Sequence, residues 1–328
     1  MRLKAPLDSL FRENAWLLLL FLPEGCCKII IIISVLNLKL ILKVILLVRL
    51  DNGILSVEIN TLGAEMRSVK HYGKDRLWSG DEKFWTGTAP VLFPICGGLK
   101  DDKYTYRGRE YTVQKHGFAR ESEFKVVKQN ALSATFLLES TPETLKQFPW
   151  EFKFYISYTL HGSAIDVKYE VFNLSDDNMY MSLGSHEAYA CSGGIENYDI
   201  IFERRETLFA HDVVGSLIAD TVTPIIKDTD TLPLYYRYFE KDALVFKDVK
   251  SRYATLRNRI TGESVSVDFP GCNYLLLWTK PSAGFICIEP WTGIPPMENA
   301  GYDITEKEGI TELAPDSVYT ISHRLKFE

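Results

Sequence analysis

The sequence predicts an all-β protein, mainly antiparallel, with few short helices. Three observations carry that expectation. Apolar and polar residues alternate at period two along much of the chain, turn-forming residues separate these stretches, and no rhythm of strand, long helix, strand appears. Leu55, Val57 and Ile59 alternate with Ser56, Glu58 and Asn60. Tyr104-Thr105-Tyr106 and Glu110-Tyr111-Thr112-Val113 flank Arg107-Gly108, a hairpin signal. Thr141-Pro142-Glu143 reads as an N-cap followed by proline in the first helical turn, and predicts a short helix over 144–148. Phe152, Phe154, Ile156, Tyr158 and Leu160 then form one face of a long strand. After the turn His161-Gly162-Ser163, the residues Ile165, Val167, Tyr169 and Val171 form the next. Residues 254–259 and 264–269 flank Thr261-Gly262, and 274–279 and 285–289 flank a turn containing Pro281. No repeat of fixed period and no low-complexity linker interrupts residues 49–328, which read as one large β-domain.

Residues 1–48 differ in character. Residues 16–22 are an unbroken apolar run ended by Pro23-Glu24-Gly25, and residues 29–48 contain only Ser34, Asn37, Lys39 and Lys43 as polar residues. Twenty such residues are long enough to span a bilayer. The apolar side chains contribute roughly −5 to −10 kcal/mol to insertion, and the two lysines cost about 5 to 7. A single-pass anchor through residues 29–48 is therefore marginal, and no small-x-small cleavage site marks a signal peptide. Residues 36–44 also alternate at period two, as a strand would. A further reading places the whole segment outside the working protein, as a tail or a misassigned start. The expected division is thus a segment of doubtful status at 1–48 and a β-domain at 49–328. The expected location is cytoplasmic, with membrane anchoring as the alternative.

Composition narrows the chemistry. With 328 residues, 46% hydrophobic and 24% charged, the chain is neither disordered nor collagen-like. The net charge is −6 and no basic block exists, which argues against nucleic acid as a partner. Six cysteines form no C-x-x-C pair, so neither a disulfide framework nor a zinc site is expected, and free thiols in a reducing compartment follow. Motifs for phosphate loops, dinucleotide folds, zincins and α/β-hydrolases are all missing from the sequence.

Three clusters can carry chemistry. In His116-Gly117-Phe118-Ala119-Arg120 a histidine sits beside a glycine that lets backbone crowd close. The plain alternative is a structural turn with Arg120 in an ion pair. In Gly184-Ser185-His186-Glu187 a histidine follows two small residues at the end of a strand-like stretch, 179–183. Its ordinary pKa near 6.5 suits proton transfer, although a buried polar loop residue has the same look. In Phe285-Ile286-Cys287-Ile288-Glu289-Pro290-Trp291, strand parity puts Phe285, Cys287 and Glu289 on one face. A carboxylate closing such a strand beside Trp291 has the composition of a sugar site, or of a strand-end ion pair.

Taken together and in order, these clusters resemble the aldose 1-epimerase (galactose mutarotase) family, in its LacX-like branch. The similarity runs from about residue 50 to 328. Its markers are Leu50-Asp51-Asn52-Gly53, Gly63-Ala64-Glu65, Phe93-Pro94-Ile95-Cys96-Gly97, the two histidine clusters, Asp242 ahead of Leu244-Val245-Phe246, and Glu289-Pro290-Trp291. The resemblance implies a β-sandwich of the galactose mutarotase type with a concave sugar cleft. It implies Glu289 as general base, His186 as general acid and His116 as a second histidine at the anomeric side. Asp242, Arg120, Trp291 and Trp278 would bind the substrate. Two departures stand out: Gly98 occupies a position where the family often has arginine, with Lys100 two residues on, and Glu187 follows His186 where many relatives have proline.

Mutarotation needs a proton removed from the anomeric hydroxyl and one delivered to the ring oxygen. The ring opens to the aldehyde, C1–C2 rotates, and closure gives the other anomer. No cofactor and no metal is required, and the partner is a small sugar. With ordinary pKa values, a window exists in which the glutamate is ionised and the histidine protonated. Burial of Glu289 and the proximity of Glu187 to His186 would each raise a pKa. Two other functions fit the same residues: mutarotation of a hexose 6-phosphate, which needs converging cations such as Arg120, Lys100, Arg107 and Arg109, and a sandwich that binds carbohydrate without turning it over.

Overall fold

The computed structural model describes residues 15–20, 28–36 and 39–328, with side chains from residue 47 onward. It is built from antiparallel strands, as the alternation predicts. One sheet has six strands in sequential order, Ala15–Leu20, Lys28–Leu36, Lys39–Asp51, Leu55–Asn60, Met66–His71 and Lys74–Asp75. The boundary expected at residue 48 falls inside the third of these, which pairs Leu47 with Asn60 and Val48 with Ile59. Val48 and Leu50 are fully buried. Among the described residues no helix is long and apolar enough to cross a membrane.

The larger sheet has fifteen strands. Phe152–His161 and Ala164–Asn173 run side by side for their full length, and both bury their alternate residues. Lys103–Tyr106 and Arg109–Thr112 make the expected hairpin, with Arg107 and Gly108 both at positive φ, as a tight turn of this hand demands. The short helix is Pro142–Gln147, capped by Thr141, whose side chain accepts from the Thr144 amide. Cys96, Cys191, Cys272 and Cys287 are free and buried, whereas Cys26 and Cys27 lie outside the described residues.

One element was not legible beforehand. Tyr198–Val214 and Leu217–Pro233 form a hairpin of two 17-residue strands. Its register shifts at several bulges between residues 201 and 213, and these break the period-two pattern.

Four neighbouring strands position the site. Tyr274–Trp278 pairs with Phe285–Trp291, which pairs in turn with Glu187–Ala190 and Gly184–Ser185. Ile286 and Ile288 enter the main core, while Phe285 and Cys287 face the other way with Ala188, Trp78, Phe84, Trp85 and Trp278. Trp291, Leu276, Val245 and Leu92 form a second apolar group on that same outer side. Glu289 lies between these two groups along its strand, so its carboxylate emerges in the gap they leave.

Candidate active site

The gap is a cleft of about 530 Å³ lined by His116, His186, Glu289, Asp242, Arg120, Trp278 and Trp291. All seven residues singled out from the sequence therefore converge, although they are spread over the 176 positions from His116 to Trp291.

Glu289 and His186 are brought together by strand register. Glu187 pairs with Ile288 and Gly184 with Trp291, which sets His186 directly across from Glu289. His186 Nε2 lies 3.3 Å from Glu289 Oε2. Both are buried, at 8% and 2% exposure. The two groups touch each other rather than standing on opposite sides of a sugar-sized space. Trp85 lies against the His186 ring at 4.9 Å between centroids, and Trp278 meets it edge-on at 5.6 Å.

His116 is held by its own backbone. Its amide donates to Gly97 O at 2.8 Å, and the Gly97 amide donates back to His116 Nδ1 at 3.1 Å. With Nδ1 accepting, a neutral ring carries its proton on Nε2. The ring stands edge-on to His186 at 5.7 Å and to Trp291 at 5.5 Å. Gly117 permits this placement. Its φ is +72°, and a Cβ there would meet Phe93 O at 2.2 Å. Trp291 spends its indole N–H on Ser185 O at 3.1 Å, so it offers the cleft a ring face and edge rather than a donor.

Asp242 is half-buried, with Oδ1 accepting from the Ala243 amide at 2.7 Å. Arg120 reaches Glu121 at 3.6 Å, and its Nε is buried without a partner. Lys115, Lys241 and Lys280 also line the cleft. The other cations weighed from the sequence do not. Lys100 donates to Glu298 O and lies over the Tyr302 ring, Arg107 pairs with Asp177, and Arg109 lies over Tyr111.

Electrostatics reverse one expectation. Burial pushes Glu289 well above the usual carboxylate range, as anticipated. Burial also drives His186 down to about 3, and the Glu187 charge that was expected to raise it does not compensate. His116 is likewise held well below its ordinary value by burial, with the neighbouring His186 adding to the effect. A single proton on this pair therefore rests on the Glu289 carboxyl rather than on the His186 imidazole. Cys287 completes a trio with His186 and Glu289 whose donor atoms lie within 4.8 Å of one another. Burial keeps that thiol well above its ordinary value.

Sequence reasoning missed Trp85, Lys115 and Ser216, which line the cleft from loops. Ser216, at the tip of the long hairpin, explains Gly98. A Cβ at residue 98 would come within 2.9 Å of Ser216 Cβ. The hairpin tip closes the space into which an arginine at that position would have to grow.

Comparison with known proteins points the same way. Residues 46–267 match the family described as aldose 1-epimerase. The plasmid-encoded protein LacX of Lactococcus lactis subsp. lactis is 33% identical over 283 residues, covering 82% of this chain and 95% of that protein. A galactose mutarotase related enzyme from Lactobacillus acidophilus has a similar structure, with TM-score 0.80, 28% identity, and coverage of 86% of this chain and 97% of that one. A galactose mutarotase-like protein from Lactobacillus casei ATCC 334 superposes with TM-score 0.82 at 26% identity, covering 86% and 100%.

Proposed function

We propose that this chain, which belongs to the aldose 1-epimerase family, interconverts the α and β anomers of a free aldohexose by acid–base ring opening. The observation that carries the reading is the Glu289–His186 contact at 3.3 Å inside a polar and aromatic cleft. A carboxyl beside an imidazole and the same pair written as carboxylate and imidazolium hold the same single proton. One transfer across the contact converts the first into the second. Glu289 then takes the anomeric proton and His186 delivers its own to the ring oxygen. The sugar leaves with as many protons as it brought.

The remaining groups support this. A raised Glu289 is a stronger base than an ordinary glutamate. His116 Nε2–H is a fixed donor for a substrate hydroxyl, and Asp242 is an acceptor. Trp85, Trp278 and Trp291 supply apolar surface for the C–H faces of a pyranose. The volume of about 530 Å³ lies within the usual range for small-molecule sites, about 300–1,000 Å³.

A phosphorylated hexose is the second reading. Lys115 favours it, since this exposed cation lines the cleft and acts on His116, His186 and Glu289 alike. Exchange spectroscopy on glucose, galactose and their 6-phosphates separates the two. Faster exchange of a free sugar supports the first reading, and exchange confined to phosphorylated sugars supports the second. Binding with no exchange of any of them would leave a carbohydrate-binding sandwich.

A further inference from the structure

Immediately after His186 the chain turns a second carboxylate to the opposite side of the sheet. Glu187 is 2% exposed and pairs in register with Ile288, the residue preceding Glu289. Strand alternation sends it toward the main core while His186 faces the cleft. There Glu187 Oε1 lies 2.9 Å from Nε2 of His323, which is 5% exposed and belongs to Val318–Phe327. A buried carboxylate–imidazole pair is a poor choice if sheet stability is all that is required, because apolar side chains of similar volume commonly do as well. This one is also incompletely satisfied. Glu187 Oε2, Ser185 Oγ and Tyr189 Oη are all buried without hydrogen-bond partners. A void of about 10 Å³ beside His323 is the size of one water.

We propose that Glu187 is a positioning residue: its carboxylate, tied to His323 on the core side of the sheet, holds the proton of the His186–Glu289 pair from behind. The inference rests on the acid–base reading of that pair. The titratable groups acting on or acted on by Glu187 come from several elements. They are His323 on its C-terminal strand, Tyr158 on Phe152–His161, Tyr169 on Ala164–Asn173, Tyr189 on its own strand, Cys272 ahead of Tyr274–Trp278, and Cys287 and Glu289 on Phe285–Trp291. Burial alone would raise Glu187, but His323 first, with further polar contributions from Ser185 and the backbone, outweighs it and holds the carboxyl below its ordinary value. Glu187 thus stays charged while Glu289 is pushed up, and two acids that neighbour one histidine take different roles. The charge on Glu187 acts to raise both His186 and Glu289. Removing it makes the pair release its proton at lower pH.

The test compares wild type, Glu187→Gln and Glu187→Asp. In the ligand-free protein, ring ¹⁵N shifts of His186 follow the proton held by the pair and do not depend on turnover. The midpoint is expected to fall by about one pH unit in Glu187→Gln, and to return toward wild type in Glu187→Asp, which restores the charge. With glucose or galactose as substrate, the basic limb of kcat/KM moves down with it. A midpoint in Glu187→Gln that matches wild type overturns the inference even if turnover is lost, since lost turnover alone reads as disturbed packing. If Glu187→Gln does not fold, His323→Gln is read the same way: without its partner the buried Glu187 carboxyl takes up a proton, the charge disappears, and the midpoint falls. An unmoved midpoint there also overturns the inference. A wild-type chain that exchanges no sugar overturns the proposed function instead, and the titration still decides this one.

Discussion

At the scale of single residues, the acid–base pair makes the sharpest predictions. Glu289→Gln keeps the shape of the side chain and removes its ability to take a proton. Anomer exchange should fall by at least about 100-fold, with little change in the unfolding midpoint because the amide fills the same space and burial already disfavours the charged carboxylate. Exchange spectroscopy and a denaturant titration check the two halves. His186→Asn should match that loss in kcat. His116→Asn should act mainly on KM, since the ring is locked by Gly97 as a hydrogen-bond donor and does not relay the proton. Equal and small effects of both would sink the assignment. The pH profile follows from the shifts. The productive pair carries one proton, so exchange should hold steady from mildly acidic pH upward and fall as pH rises through the raised value of Glu289. A second proton reaches the pair only near the depressed value of His186, about 3. A profile that instead climbs with pH through neutrality would mean the pair works only after losing its proton.

At the scale of elements, the long hairpin shapes the cleft more than any local motif. Its tip sets Ser216 against Gly98, so the side chain at residue 98 and the reach of the hairpin are coupled. Gly98→Arg should therefore destabilise the chain by about 1–3 kcal/mol through overpacking. Ser216→Gly should recover part of that loss in a double-mutant cycle. Additive effects in thermal unfolding would show that the tip moves freely. The hairpin also marks where reading the sequence stopped. Phe152–His161 and Ala164–Asn173 were visible because period two and a tight turn are local properties, and the strand holding Glu289 was visible for the same reason. The bulged strands Tyr198–Val214 and Leu217–Pro233 lose that period, and their tip reaches the cleft by a path that no local pattern records. Trp85 and Lys115 were missed for the related reason that loop residues carry no periodicity. The histidine and glutamate clusters were legible as chemistry, but their contact depends on a register set by Gly184 against Trp291. The inverted pKa order depends on burial, which a sequence shows only after folding.

At the scale of the whole molecule, the open matter is where the working domain begins. Sequence patterning suggests that a chain starting near Leu50 folds and keeps its activity, because every site residue lies beyond that point. The strand Lys39–Asp51 runs across that point. Val48 is fully buried and pairs with Ile59, while Leu47 pairs with Asn60 and Arg49 with Glu58, so a start at Leu50 removes three of the five pairings that hold Leu55–Asn60 to its neighbour. Burying one valine contributes about 1.5–3 kcal/mol, and the backbone of Glu58, Ile59 and Asn60 would lose partners as well. A chain starting at Leu46 keeps all five of these pairings and the family match from residue 46. The expected outcome is ordered: the chain from Leu46 unfolds at the same denaturant concentration as the full chain and exchanges anomers at the same rate, while the chain from Leu50 unfolds earlier and retains activity only where it remains folded. Loss of folding in the chain from Leu46 would show that Lys39–Asp51 needs its pairing to Lys28–Leu36, and that the six-stranded sheet is a single cooperative unit rather than a domain preceded by a dispensable segment.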